Sequence, residues 1–172
     1  DLWLRVGWNE RYPYTFSWLG LPILQIPEDI VRTQEVIYRL RPDIIIETGV
    51  AHGGSMVLYA SLCELMGRGH VVGIEKGLRC RSRVENHPLS GRITLIEGDS
   101  TSRSIVDRVH RMVGGQRAFI ILDSDHSKGH VAQELDAYHD LIEVGSYLVA
   151  TDGNMGDLAD VPRGPPPSHQ DN

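Results

Sequence analysis

The chain has 172 residues, of which 41% are hydrophobic and 23% are charged, with a formal net charge of −6 at pH 7. This length fits one domain with a buried core, and the composition excludes disordered and fibrous classes. No apolar stretch reaches the roughly 20 residues of a membrane span, and the charged N-terminus lacks the apolar core of a signal peptide. We therefore expect a cytoplasmic protein without a membrane partner, and the acidic charge argues against a nucleic-acid partner.

The first 25 residues form an N-terminal aromatic segment, YPYTFSWLGLPILQ being its most distinctive stretch. Its rings, Tyr14, Phe16 and Trp18, could line a substrate pocket, form a subunit contact or pack as core under the first helix. The sequence leaves these alternatives open. We place the main α/β domain at 26–157 and a Pro-rich loop or lid at 158–172.

Within the main domain, apolar runs alternate with stretches of helical spacing. The predicted helices are 26–42, which has Pro27 in its first turn, 55–67, 104–115, which ends on a Gly pair, and 130–145. The predicted buried strands are 44–49, 70–75, 93–98, 118–124 and 146–152.

Regular strand–helix alternation predicts a doubly wound α/β fold, with a mostly parallel sheet and helices on both faces. In such sheets, ligands bind beyond the carboxyl ends of the strands. Acidic residues lie at or near all five of these ends, which indicates a site there: Glu47, Glu75, Glu97 to Asp99, Asp123 and Asp152. After the fifth strand, no further strand closes the sheet, so we expect a fragment or a partly ordered chain.

The turn ETGVAHGGS at 47–55 follows the first of these strands. Its glycines Gly49, Gly53 and Gly54 let the backbone bend sharply and approach a ligand. Ser55 can cap the following helix, whose N-terminus attracts a carboxylate or phosphate. Glu47 would repel a pyrophosphate but would accept hydrogen bonds from an ammonium group, so the turn favours an amino-acid moiety over a dinucleotide. A purely structural corner is the alternative.

Glu75 ends the second strand about 20 residues after the glycines, the position from which an acid binds the hydroxyls of a ribose. Asp99 and Ser100 in EGDS end the third strand, where they could contact an adenine edge. The glycine turn and the ribose acid together indicate a nucleoside cofactor.

Several motifs occur in an order that resembles the cephalosporin hydroxylase family: FSWLGLPILQIPEDIVRTQEVI, RPDIIIETGVAHGGS, GIEK, ENHP, ITLIEGDS, ILDSDHSKGHVAQELDAYHDLI and VGSYLVATD. The likeness covers roughly residues 14–154. It implies the Rossmann-like fold of class I methyltransferases without its last two strands, and S-adenosyl-L-methionine as cofactor. It also implies an O-methyltransferase that acts on a hydroxyl of a small natural-product or sugar acceptor, and a homo-oligomer.

The resemblance also assigns roles to residues. Asp123 and Asp152 would bind Mg²⁺, and His126 would be the general base. The cofactor would contact residues of the turn and of the strand ends: Glu47, Gly49, Ala51, Gly53, Ser55, Glu75, Asp99, Ser100 and Asp123. A metal lowers the pKa of a bound hydroxyl, and histidine titrates in the range such a base requires.

The chain departs from these relatives around Asp152, where they often place a Glu before the Asp or an Asn after it. Here Thr151 and Gly153 occupy these positions, so Asn154, Asp157 or water would complete the metal shell. Capping by Asp123 with a solvent-exposed His126 is one alternative. A transition-metal pair of His126 with His130 is another, although His130 reads more simply as a surface residue of a helix.

Three other functions remain open. An NAD-dependent oxidoreductase would use a similar sheet, but the chain lacks G-x-G-x-x-G. A non-catalytic S-adenosylmethionine-binding partner subunit is compatible with Thr151 and Gly153. A true hydroxylase would require an iron or flavin site, and no two-His-one-carboxylate pattern stands out.

Overall fold

The computed structural model describes residues 2–153, 155–158 and 160–163. Within these ranges there are seven β-strands: β1 (Phe16–Trp18), β2 (Leu21–Ile23), β3 (Ile44–Thr48), β4 (His70–Glu75), β5 (Ile93–Glu97), β6 (Ala118–Leu122) and β7 (Leu148–Ala150). Six α-helices accompany them: α1 (Leu2–Asn9), α2 (Pro27–Leu40), α3 (Gly54–Met66), α4 (Arg81–Glu85), α5 (Arg103–Val113) and α6 (Lys128–Tyr138).

Five strands form one parallel sheet in the order β5-β4-β3-β6-β7, and β1 pairs with β2 in a separate antiparallel hairpin. The chain leaves β3 toward β4 on one side and returns to β6 on the other. In open parallel sheets this reversal opens a crevice at the carboxyl end of the central strand. The crevice therefore lies between the ends of β3, β4 and β6.

Helices cover both faces of the sheet, as predicted. On one face, α2 and α3 pack against the sheet around Ile45, Tyr59 and Phe119. On the other face, α5 and α6 pack around Ile46 and Tyr138. The two buried clusters share the sheet, so its carboxyl edge rests on a core that is packed from both sides.

The predicted strands and helices are confirmed, with shifts at their ends. Helix α2 has Pro27 in its first turn, and α5 ends at Val113 and is capped by Gly114, which adopts a left-handed conformation. The helix predicted over 130–145 is shorter, because α6 ends at Tyr138 and only a 3₁₀ turn follows. The last hydrogen bond of the helix joins the backbone N–H of His139 to the carbonyl oxygen of Leu135, and the ring Nδ1 of His139 donates to the same oxygen at 3.0 Å.

The N-terminal segment contains structure that the sequence did not predict, namely α1 and the β1–β2 hairpin. Phe16 and Trp18 pack against the core, and Trp18 Nε1 donates to Ser61 Oγ at 3.1 Å. Tyr14 is exposed and lines a cavity at the carboxyl edge of the sheet. Of the alternatives for these aromatic residues, Phe16 and Trp18 therefore pack as core, and Tyr14 forms part of a cavity wall.

The beginning of the predicted loop or lid at 158–172 lies against α1. Leu158 and Val161 are buried beside Leu4 and Trp8. Residues 159 and 164–172 of the predicted lid, and Asn154, lie outside the described residues. None of the described helices is long and apolar enough to cross a bilayer.

Candidate active site

The glycine turn after β3 lies directly against the end of β6. Gly49 donates its N–H to the carbonyl oxygen of Ile74 at 2.8 Å, and Asp123 donates its N–H to that of Thr48 at 2.9 Å. Gly49 has a φ of +85°, and a Cβ on it would stand 1.9 Å from the carbonyl oxygen of Asp123. Only glycine meets both conditions, so this residue brings the turn into contact with the predicted metal ligand.

Glu47 lies beneath the turn, with none of its surface exposed. Its Oε2 accepts a hydrogen bond from Ser55 Oγ at 2.5 Å, and its Oε1 accepts one from Tyr59 Oη at 3.0 Å. Burial, and secondarily the charge of Asp123, raises the pKa of this carboxyl well above its ordinary value. The expectation that Ser55 caps α3 is wrong, because its hydroxyl binds Glu47 and the helix follows Gly53 without a side-chain cap.

A cavity of about 390 Å³ opens at the carboxyl edge of the sheet. Seven of the residues predicted for the site line it: Gly49, Ala51, Glu75, Ser100, Asp123, His126 and Asp152. Four others do not line it: Glu47, Gly53, Ser55 and Asp99. The sheet therefore brings together the turn, the predicted ribose acid and the predicted reacting groups on one wall.

Glu75 joins the end of β4 to the glycine turn. Its Oε2 accepts from the backbone N–H of Val50 at 3.2 Å and from that of Ala51 at 3.3 Å. Ala51 adopts a left-handed φ of 44°, which is uncommon for a residue with a Cβ. Such backbone strain clusters at functional sites, because the surrounding structure must hold it in place.

Asp99 does not line the cavity but organises its own turn. It accepts hydrogen bonds from Thr101 Oγ1 at 2.7 Å and from the Thr101 N–H at 2.9 Å, and it pairs with Lys76 Nζ at 3.0 Å. The Thr101 hydrogen bonds, followed by Lys76, lower the pKa of Asp99 to about 2. Lys76 and Ser100 line the cavity, whereas Asp99 does not.

Asp123, His126 and Asp152 form a compact cluster. One potential ligand atom of each lies within 4.8 Å of those of the other two. His126 Nε2 is 3.1 Å from Asp152 Oδ2, and Asp152 has a left-handed φ of 60°. Thr151 Oγ1 donates to Asp123 Oδ1. The predicted acids and base, which are separated by up to 29 positions in sequence, thus meet at one point.

The electrostatics of this cluster suit a hard cation. Burial raises the pKa of Asp123 to about 7, with the Thr151 hydrogen bond opposing the shift and the charges of Asp152 and Glu134 adding to it. Two carboxylates this close repel each other when both are ionised, and a divalent cation between them reverses that repulsion. Carboxylate oxygens are also the ligands that Mg²⁺ prefers. The residues therefore fit a magnesium ion held by Asp123 and Asp152.

Sequence reasoning missed the role of α6 in the site. His130 was expected at the surface, yet its side chain is only 12% exposed and lines the cavity. Its Nε2 lies 3.3 Å from Ser100 Oγ and 3.3 Å from Oε1 of the buried Glu134. Among the residues described, the group with metal-ligand spacing contains His126 but not His130. The sequence feature that could have predicted this contact is the i,i+4 spacing of His130 and Glu134, which places both side chains on the same face of a helix.

A second cavity, of about 450 Å³, meets the first at Asp123 and Asp152. The two cavities also share three apolar residues, which are Trp8, Pro13 and Leu24. The second cavity has mainly apolar walls, with polar groups that include Asp29 and Arg32. The acidic cluster therefore stands at the junction of a polar and a largely apolar chamber.

The strand order, the glycine turn and the acidic carboxyl edge define the Rossmann-like α/β fold of class I methyltransferases. The family model described as Rhamnosyl O-methyltransferase/CmcI matches residues 10–172, so this chain belongs to that family. The predicted resemblance and fold class are thereby confirmed.

Relatives and solved structures agree with this assignment. The chain is 31% identical over 145 residues to "Rhamnosyl O-methyltransferase" of Mycobacterium tuberculosis (strain ATCC 25618 / H37Rv), a match that covers 81% of the chain and 57% of that protein. The Mycobacterium leprae (strain TN) protein of the same name is 30% identical, covering 91% and 66%. The chain thus spans about three fifths of the length of these curated relatives.

Among solved structures, "cmcI-D160 Mg-SAM" has a TM-score of 0.65 at 25% identity, covering 81% of this chain and 58% of that one. The structure "cmcI-N160 SAH" has a TM-score of 0.63 at 26% identity, covering 85% and 71%. "MycE Methyltransferase from the Mycinamycin Biosynthetic Pathway in Complex with Mg and SAH, Crystal form 2" has a TM-score of 0.60 at 24% identity, covering 88% and 37%. This last likeness concerns the fold alone.

Proposed function

We propose that this chain is the S-adenosylmethionine-binding domain of an O-methyltransferase that acts, with Mg²⁺, on a hydroxyl of a small sugar-containing or natural-product acceptor. One observation carries the proposal. The cavity places the glycine turn and Glu75 beside a cluster of two carboxylates and an imidazole. A nucleoside-binding wall next to a proton-accepting, cation-binding group is the arrangement that hydroxyl methylation requires.

The cofactor would lie along the cavity wall. Its amino-acid end would lie at Gly49 and Ala51 in the glycine turn, and its ribose would lie at Glu75. S-adenosylmethionine supplies a methyl group on a sulfonium, which a correctly placed oxyanion can accept. The similarity to the CmcI structure bound to Mg and SAM supports this cofactor assignment.

The residues of the cluster would prepare the acceptor. Asp123 and Asp152 would hold Mg²⁺, which when bound lowers the pKa of a nearby hydroxyl. His126 would take the hydroxyl proton, and Asp152, at 3.1 Å from its Nε2, would stabilise the imidazolium that forms.

The acceptor would approach through the second cavity. Its walls reach Asp123 and Asp152, and its apolar surface with Asp29 and Arg32 suits a molecule that has both apolar and hydroxylated parts. The mycobacterial relatives named rhamnosyl O-methyltransferases support a sugar hydroxyl as the acceptor group.

Calorimetric titration with S-adenosylhomocysteine, with and without Mg²⁺, tests the proposal. We expect micromolar binding to the wild type, tighter with Mg²⁺, and loss of the Mg²⁺ effect in Asp152→Asn but not in the exposed control Asp136→Asn. Methyl transfer to a rhamnosylated acceptor panel completes the test. Binding without transfer to any acceptor would favour the non-catalytic partner subunit, and binding of NADH instead would favour the oxidoreductase.

A further inference from the structure

Glu134 is a buried acid that the proposed mechanism does not use. It lies in the middle of α6 with none of its surface exposed. Its Oε1 accepts hydrogen bonds from Ser100 Oγ at 2.5 Å and from Ser124 Oγ at 2.7 Å, and His130 Nε2 lies 3.3 Å from the same oxygen. A buried carboxylate is destabilising unless it is hydrogen-bonded. Here the hydrogen bonds all converge on Oε1, and the buried Oε2 has no partner among the described residues.

The partners of Glu134 come from three different elements. Ser100 follows β5, Ser124 follows β6, and His130 lies in the first turn of α6. All three line the 390 Å³ cavity, whereas Glu134 does not. Tyr138, one helical turn beyond Glu134, donates its hydroxyl to the carbonyl oxygen of Ser100 at 2.5 Å. Helix α6 therefore holds this part of the cavity wall from behind.

The hydrogen bonds to Glu134 also determine what the two serines offer to a ligand. A serine hydroxyl has one hydrogen and two lone pairs. Because Glu134 Oε1 accepts the hydrogen of both Ser100 and Ser124, each oxygen retains only acceptor capacity. An acceptor-only surface favours a ligand that presents an amino group and disfavours one that presents a carbonyl oxygen.

In the proposed cofactor orientation, this surface would lie at the nucleobase end of the cavity. Glu75 ends β4, the neighbour of the central β3, and Ser100 follows β5, one strand further out. A nucleoside whose ribose lies at Glu75 would extend its base toward Ser100. Adenine presents an exocyclic amino group there, and hypoxanthine presents a carbonyl oxygen in its place.

We propose that Glu134 is a positioning residue that holds the hydroxyl hydrogens of Ser100 and Ser124 away from the ligand and leaves their oxygens as acceptors, so that the site selects adenine over a 6-oxo purine. This inference rests on the proposed function, because it places a nucleoside in the cavity. Glu134 acts through the serines and makes no contact with the base.

The test compares S-adenosylhomocysteine with S-inosylhomocysteine, in which the adenine amino group is replaced by an oxo group. In the wild type, calorimetry should show the adenine form binding at least about tenfold more tightly. Glu134→Met keeps the side-chain volume but removes the acceptor, and it should reduce that preference about tenfold. Glu134→Gln retains an acceptor oxygen and should restore most of it. Leu135→Met, at an exposed position of the same helix, is the matched control.

A purely structural role would weaken both ligands equally and leave their ratio unchanged, and that result would overturn the inference. Equal binding of the two ligands by the wild type would also overturn it. If Glu134→Met does not fold, Ser124→Ala supplies the same test, since it removes one acceptor oxygen and should lower the ratio. A wild type that binds neither ligand contradicts the proposed function itself, whereas a preference for adenine that persists in Glu134→Met contradicts only the role of Glu134.

Discussion

The carbonyl oxygen of Asp123 lies 1.9 Å from the point where a Cβ on Gly49 would stand. The glycine turn and the acidic cluster therefore touch through their backbones. Any residue with a side chain at position 49 must push β3 and β6 apart at their carboxyl ends. The proposed cofactor site and metal site are thus coupled through one glycine.

Substitution Gly49→Ala should destabilise the protein by about 2–4 kcal/mol, because it combines a backbone clash with an unfavourable φ. Urea unfolding measures this change. Gly77→Ala is the control, since Gly77 has no atom within 4 Å of its virtual Cβ. Similar midpoints for the two variants would show that the end of β6 moves aside without strain.

Substitution His126→Ala should lower the rate of methyl transfer about 10²- to 10⁴-fold, the usual contribution of a general base. Binding of S-adenosylhomocysteine should change little, because the imidazole would act on the acceptor. Initial rates and calorimetry on the same preparation separate the two effects. His139→Ala, an exposed histidine, is the matched control, and full activity in His126→Ala would refute the assignment of the base.

Substitution Thr151→Val should weaken Mg²⁺ binding several-fold while leaving cofactor binding nearly unchanged. Thr151 Oγ1 donates to Asp123 Oδ1, and this hydrogen bond favours the ionised carboxyl that a metal requires. Titration of Mg²⁺ measures the effect, and Thr15→Val at an exposed position is the control. An unchanged Mg²⁺ affinity would mean that Thr151 only closes the turn after β7.

The pH dependence of stability should report the buried carboxyl of Asp123. In the folded protein its pKa is raised from 3.8 to about 7, so the folded state binds this proton more tightly than the unfolded state does. The resulting stabilisation is complete below about pH 4 and is lost as the pH rises through 7.

Urea unfolding in the presence of a chelator, from pH 4 to pH 8, should therefore show the wild type losing stability relative to Asp123→Asn by roughly 2–4 kcal/mol. Added Mg²⁺ should restore part of this loss above pH 7, since the cation stabilises the ionised carboxylates. A constant difference between the two proteins across this range would contradict a raised pKa.

Much of the fold was predictable because it depends on local patterns. Apolar runs of five or six residues separated by amphipathic stretches specify parallel strands and crossover helices. Pro27 and Gly114 mark helix ends through the backbone geometry of these two residue types. The N-terminal hairpin escaped prediction because its three-residue strands are too short to show a period.

The residues of the site were predictable to the extent that they stand at strand ends. Glu75, Asp123 and Asp152 line the cavity, as expected from the carboxyl edge of a parallel sheet. Glu97, also at a strand end, instead pairs with Arg81 at 3.2 Å. The sequence therefore predicts which residues lie at the carboxyl edge of the sheet. Whether the side chain of such a residue points into the cavity depends on its neighbours in the folded protein.

By itself, then, the sequence determined the doubly wound sheet, the glycine turn and the family to which the chain belongs. Only the tertiary structure decided that Glu47 is enclosed by Ser55 and Tyr59, and that Glu134 holds the cavity wall from behind. The physical reason is that strand and helix patterns arise from residues a few positions apart. The environment of a buried carboxyl, in contrast, is assembled from elements that are distant in sequence, and it sets both the pKa and the hydrogen bonds of the group.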